Sequence, residues 1–258
     1  MTAQVAGVAL VTGGGTGIGA EVARQLGERG WGVVLAGRRA GVLAGQAARV
    51  AEAGGQPLAV VADVGKPDFA GHLVDQALDR FGRLDAVVNN AGVMHIQPFA
   101  SLTPQALDES LAVNVRAPFL LIQAARRALA SAPAGSVVNV GSAAAALYRP
   151  GQSAYGSSKA ALEYLTKSLA VELAPDGIRV NAVIPGPVDT EIHDRPGSDP
   201  VQVRAALAAA VPLGRLGTAA EVAWWIVRLV TAPEASWVTG AIVRVDGGRI
   251  LTPPDRPL

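Results

Sequence analysis

VALVTGGGTGIG, Val8 to Gly19, is an apolar run that breaks into glycines and then enters AEVARQLGERG, residues 20–30. The unbroken apolar start reads as a strand buried on both faces, and the segment after the glycines reads as a helix. Strand, glycine turn and helix form the context in which a loop can cradle a dinucleotide pyrophosphate. Glycine lets the backbone turn sharply and approach the phosphates closely. The helix start then offers them free N–H groups and a positive dipole end. The generic form G-x-G-x-x-A is met by Gly15, Gly17 and Ala20, but the spacing G-x-x-x-G-x-G at Gly13, Gly17 and Gly19 is more selective. With Thr16 and Ile18, these glycines are the candidate phosphate-binding residues.

Outward from this loop, short β-branched runs alternate with longer helical patterns. Strands are expected at Val8–Val11, Gly32–Leu35, Leu58–Val61, Ala86–Asn89, Ser136–Val140, Arg179–Val183 and Ile242–Val245, and helices near 17–29, 39–53, 67–81, 104–130 and 154–174. This βαβ repetition predicts an α/β fold: one Rossmann-type doubly wound sheet of seven mainly parallel strands, with helices on both faces. No composition break divides residues 1–258, so a single domain is expected. Pro and Gly cluster at 185–200, followed by the alanine-rich Val201–Ala210, which reads as a short helix. Residues 188–210 are the expected substrate loop.

Three strand ends carry further candidates. After the second strand an acid would hold an adenosine ribose 2′-hydroxyl, but Gly37 stands there, followed by Arg38 and Arg39. A guanidinium suits a 2′-phosphate, so NADP(H) is expected over NAD(H); the alternative is two solvated arginines at a helix start. The third strand ends in Asp63-Val64, placed for a carboxylate to meet the adenine, although Asp at a strand end also forms ordinary turns. The fourth ends in Asn89-Asn90-Ala91-Gly92, where small residues let a cofactor lie against the backbone and either Asn could equally be structural.

In QSAYGSSKAALEYLTKSLAVEL, residues 152–173, Tyr155 and Lys159 lie four residues apart on a helical pattern. Positions i and i+4 share a helix face, so phenol and ammonium stand side by side. A cation about 4 Å away is worth roughly 4 kcal/mol at an effective dielectric of about 20. That is enough to move a phenol of pKa about 10 by up to about three units, into range for acid–base work.

The rest of the chain narrows the classes. It has 258 residues, 50% hydrophobic and 17% charged, with net charge +1, which gives no electrostatic reason to capture nucleic acid or an anionic membrane. The absence of cysteine removes disulfide and thiol chemistry and fits a reducing cytoplasm. His72, His95 and His193 show no ligand spacing, so no metal site is expected. WWIVRLV, residues 224–230, is interrupted by Arg228, and no stretch has the length of a membrane helix.

Taken in order, TGGGTGIG at 12–19, DV at 63–64, NNAG at 89–92, Asn114 in LAVNVRAPF, Ser142 in VNVGS, YGSSK at 155–159, IRVNAVIPGPVDT at 178–190 and VTGAIVRVDGG at 238–248 resemble the short-chain dehydrogenase/reductase family over nearly the whole length. The likeness is to the branch with 3-oxoacyl-carrier-protein reductases and secondary-alcohol dehydrogenases. It implies interconversion of a ketone and a secondary alcohol. Ser142 would hold the carbonyl oxygen and Tyr155 would act as acid or base. Lys159 would lower the tyrosine pKa and hold the nicotinamide ribose, and Asn114 would hold a water leading to solvent. Pro185, Gly186, Val188 and Thr190 would anchor the carboxamide. Gly141 stands where a serine is frequent, which points to a wider pocket. Alternatives on the same scaffold are a carrier-protein-linked reductase, a lyase or epimerase, or a nucleotide sensor without catalysis.

Expected pocket residues are Met94, His95, Ala144, Leu147, Tyr148, Gln152, Ile192 and His193. The partner is a small carbonyl or alcohol compound. The resemblance also implies a homodimer or homotetramer that packs the 104–130 and 154–174 helices across a two-fold axis, with Ala161, Leu165 and Ser168 on the second face of the latter.

Overall fold

The computed structural model describes residues 5–190 and 199–252. Seven strands, β1 (Val8–Thr12), β2 (Gly32–Gly37), β3 (Gln56–Val61), β4 (Ala86–Asn89), β5 (Ser136–Val140), β6 (Arg179–Pro185) and β7 (Ile242–Val245), form one sheet in the order β3-β2-β1-β4-β5-β6-β7. Every neighbouring pair is parallel. Strands β1, β4 and β5 are buried throughout because helices cover both faces of the sheet. Pro57, which has no N–H for a ladder, is accommodated on the edge strand β3.

The helices are α1 (Gly17–Gly27), α2 (Ala40–Glu52), α3 (Phe69–Phe81), α4 (Pro104–Leu111), α5 (Ala117–Ala130), α6 (Ser153–Glu172), α7 (Pro200–Ala209) and α8 (Ala219–Thr231). One core packs α1, α2 and α8 on the sheet through residues such as Val22, Leu26, Leu43, Val50, Val222 and Ile226. The other packs α3, α5 and α6 through Leu73, Val74, Leu121, Ile122 and Leu169.

Two departures from the expected elements matter. The single helix expected over 104–130 is interrupted at Ala112–Arg116 by a π turn that contains Asn114. A π turn inserts a residue without breaking hydrophobic periodicity enough to show in sequence, and such turns recur at functional positions. The second departure is α8, which lies where no helix is expected. Its start carries a complete capping box, in which Thr218 Oγ1 accepts from Glu221 N and Glu221 accepts from Thr218 N.

Strand order reverses between β1 and β4, so the chain leaves these neighbours toward opposite edges. The crevice at their carboxyl ends is where ligands settle in such sheets. The loops after β1, β4, β5 and β6 all open there.

Candidate active site

The glycine loop is held by its neighbours before any ligand arrives. Thr12 Oγ1 accepts from the N–H groups of Asn90 and Ala91, both at 3.1 Å. Asn90 Nδ2 donates back to the carbonyls of Thr12 (3.0 Å) and Gly13 (3.1 Å). Asn90 is thus a clamp between two loops. Gly13 and Gly17 have φ of +63° and +55°, a region that favours glycine. A Cβ on Gly19 would lie 2.3 Å from Gly13 O and 2.4 Å from Asn90 Nδ2, so only glycine fits. Thr190, from the loop after β6, rests against Gly17. The result is a backbone cradle at the start of α1, and the residues present fit a dinucleotide pyrophosphate.

On one side of the cradle lies a cavity of about 570 Å³, lined by Gly13, Gly15, Arg38, Arg39, Asp63, Val64 and Gly92 among others. Arg38 and Arg39 are exposed at its rim. Asp63 Oδ1 accepts from Gly65 N at 3.0 Å, the ordinary turn contact, while still lining the cavity.

On the other side a cavity of about 470 Å³ brings together Gly17, Ile18, Asn90, Ser142, Tyr155, Lys159, Pro185, Gly186, Val188 and Thr190. Ser142 ends the segment after β5, and its Oγ accepts from Ala144 N at 3.2 Å. Tyr155 and Lys159 face inward from α6, both buried. Lys159 Nζ donates to Val140 O at 2.8 Å and lies 5.9 Å from the Tyr155 ring centroid.

This geometry changes the expected electrostatics. Burial pushes the Tyr155 phenol above its ordinary range, and a hydrogen bond with Ser142 pulls it partly back. Lys159 was expected to lower the phenol. Here its ammonium is directed to a carbonyl, and loss of solvation alone brings it from 10.5 down to about 8. In this state Tyr155 is held as a protonated acid.

Asn114 is buried beneath the pair. Its Nδ2 donates to Val93 O and Ser158 Oγ, and its Oδ1 accepts from Val93 N. Both donor hydrogens are committed, so a water at this side chain could use only the remaining Oδ1 lone pair. Gly92 fills the gap between the two residues: a Cβ there would stand 3.3 Å from Asn114 Oδ1 and 3.6 Å from Lys159 Nζ. Gly141 does not widen the pocket as expected, because Ile184 Cδ1 already occupies the place of a side chain, 2.2 Å from an ideal Cβ.

Residues 13–249 match a family model described as enoyl-(acyl carrier protein) reductase. The chain superposes on a crystal structure of a short-chain type dehydrogenase/reductase from Mycobacterium marinum with a TM-score of 0.88 and 35% identity, covering 95% of this chain and 96% of the other. The chain belongs to the short-chain dehydrogenase/reductase family. It is similar as well to the cis-4-hydroxycyclohexanecarboxylate dehydrogenase of Sinomonas cyclohexanicum, at 40% identity over 93% of this chain and 95% of that protein. A metagenomic blue fluorescent protein, solved in complex with NADPH, aligns with a TM-score of 0.86 and 34% identity over 95% of this chain and 98% of its own. This short-chain dehydrogenase/reductase is an NAD(P)-dependent oxidoreductase.

Of the expected pocket residues, Met94, Ala144, Leu147 and Gln152 line the second cavity. His95 does not; it pairs with Glu109 at 2.9 Å. Tyr148 points to solvent. Ile192 and His193 fall outside the described residues. Three further residues complete the cavity wall of this dehydrogenase/reductase: Arg149, Leu207 and Arg249. Leu207 sits on α7, within the expected substrate loop. Arg149 lies six residues before Tyr155 and Arg249 directly follows VTGAIVRVDGG at 238–248, so both stand beside motifs that did not themselves mark an arginine. Among the described residues no group of three or more His, Asp or Glu side chains could hold a metal, and no helix is long and apolar enough to cross a membrane.

Proposed function

We propose that this oxidoreductase interconverts a ketone and a secondary alcohol, with NADP(H) as its redox partner. The convergence of Ser142, Tyr155 and Lys159 on one cavity that also opens onto the glycine loop carries the reading. When bound, the nicotinamide supplies or receives the hydride. Ser142 holds the substrate oxygen. Tyr155 gives that oxygen a proton in reduction and takes it back in oxidation. Lys159, beside the side-chain-free Gly92, holds the nicotinamide ribose hydroxyls, and the segment from Pro185 to Thr190 orients the carboxamide. Asn114 fixes the floor under Lys159 through Val93 and Ser158.

Arg38 favours the phosphorylated cofactor. It lies at the end of β2, lines both cavities, and stands next to Gly37, where an acid would repel a 2′-phosphate. The NADPH-bound neighbour is in keeping with this choice. We place the enzyme in the cytoplasm as a single-domain homodimer or homotetramer acting on a small carbonyl or alcohol compound.

Two measurements test the reading. Absorbance at 340 nm, followed with ketone and alcohol panels, should change steadily, with kcat/KM higher for NADPH than for NADH; a preference for NADH refutes the role of Arg38. Tyr155→Phe should bind NADPH while turnover falls by about 10³-fold. Near-native turnover in that variant refutes the proton-transfer role.

A further inference from the structure

Besides Arg38 and Arg39, which follow β2, the cavity that holds Ser142 and Tyr155 is lined by Arg149 and Arg249. Arg149 lies in the turn before α6, and Arg249 lies just past β7. Gly247 and Gly248, at φ of +61° and +84°, fold the chain back so that Arg249 N donates to Asp246 O at 3.0 Å. This turn brings a residue 100 positions away in sequence beside Arg149. The two cations repel: burial first, and then the charge of Arg249, holds Arg149 below its ordinary range.

Arg249 is 1% exposed. One of its nitrogens, Nη1, donates to Thr252 Oγ1, while its Nε, buried, has no hydrogen-bond partner among the described residues. Arg149 Nη2 is buried and unpartnered in the same sense. No Asp or Glu is among the described residues lining this cavity. The neighbouring carboxylate, Asp246, attracts Arg249 but accepts hydrogen bonds from Gly248 N and Ile250 N, each at 3.0 Å. Buried N–H groups on a cation are costly to leave unpaired. Two unpartnered nitrogens, one on each of two like-charged side chains that line a cavity without an acid among its described residues, leave positive charge there for an anion to balance.

We propose that the substrate carries a carboxylate, seated by Arg149 and Arg249 while its carbonyl or carbinol carbon lies at Ser142 and Tyr155. The proposal rests on the ketone–alcohol reading above. A guanidinium meets a carboxylate through forked, charge-assisted hydrogen bonds, and no Asp or Glu among the described lining residues competes for these two. Met94, Leu147 and Leu207 give the same cavity apolar wall for the carbon skeleton. The cavity of about 470 Å³ must also take the nicotinamide, so the acid is small.

The test follows NADPH oxidation with oxocarboxylates of graded length, their methyl esters and the matching oxophosphonates. Wild-type kcat/KM should favour the best acid over its ester by about 100-fold. In Arg149→Gln and Arg249→Gln that ratio should fall by about tenfold or more, mainly through KM, while NADPH Kd from fluorescence titration stays near wild type. Equal kcat/KM for acid and ester in the wild type overturns the proposal. So does a preference for the phosphonate, or a loss of NADPH affinity in parallel with the loss of selectivity, which would assign the arginines to the cofactor. If Arg249→Gln fails to fold, Arg149→Gln and the wild-type ratio decide. If no ketone is turned over, the oxidoreductase reading falls, and thermal shifts of the NADPH-bound wild type decide the anion site. Stabilisation by the acids alone supports it, and equal shifts with acids and esters overturn it.

Discussion

Lys159 is the residue through which solution conditions reach the site. Its pKa of about 8 comes from burial, which penalises the charged form. Below that pH the side chain is an ammonium; above it, a neutral amine that gives a bound dinucleotide no charge to meet. Tyr155, pushed the other way by burial, stays protonated through the same range. NADPH affinity should therefore weaken as pH rises through about 8, by about tenfold between pH 7 and pH 9.5. Fluorescence titration across that range checks it. Lys159→Arg, charged throughout, should remove the break, and a break that persists in that variant would assign it to another group. The short-range part of this site is legible in sequence, because Tyr155 and Lys159 share a helix face and Ser142 stands just past a strand end. The state of the pair is not. It depends on the Val140 carbonyl, supplied by a strand 19 residues before the lysine, and on the burial of both groups, which no local pattern encodes.

At the scale of elements, the sheet was readable strand by strand because buried parallel strands are continuous apolar runs, and all seven expected strands appear, most with ends shifted by one or two residues. The helices were less readable where tertiary needs override period. The π turn around Asn114 hides inside an unbroken helical pattern, and the start of α8 is marked by Thr218-Ala219-Ala220-Glu221, a capping signal weaker to the eye than the aromatic run after it. Glycines divide in the same way. Gly19 is fixed by the Gly13 carbonyl and Asn90, whereas Gly45, in the middle of α2, is exposed and would have nothing within 4 Å of a Cβ. Gly45→Ala should stabilise the protein by about 0.8 kcal/mol through helix propensity, roughly 2 °C in Tm, with NADPH binding unchanged. Gly19→Ala should lower Tm and weaken NADPH binding together. Thermal melts with and without NADPH separate the two, and a Gly19→Ala protein that binds normally would show that the cradle has more slack than its 2.3 Å contact allows.

For the whole molecule, the open question is what lies against the outer face of α6. The inner face carries Tyr155, Lys159, Leu162, Thr166 and Leu169 into the core. Ala161, Tyr164, Ser168 and Val171 follow helical spacing along the opposite side, with Tyr164 and Val171 each 77% exposed. On α4 and α5, Leu107, Leu111 and Phe119 continue an apolar stripe that is about two-fifths exposed at each position. Single exposed apolar residues need no explanation, but two adjoining stripes on helices that pack together are the kind of surface an association would bury. The expected occupant is a second copy of the chain, which pairs the stripes about a two-fold axis as the family resemblance implies. Light scattering coupled to gel filtration should then find a dimer or tetramer of 26.2 kDa chains. The double variant Tyr164→Glu with Val171→Glu buries two like charges at such an interface and should elute as a monomer with native-like circular dichroism. A wild-type monomer would rule out the assembly; an assembled double variant would move the interface elsewhere. Because Tyr155 and Lys159 sit on the inner face of the same helix, dissociation should also lower Tm and raise KM without changing the proposed preference for NADPH, which is assigned to Arg38 after β2.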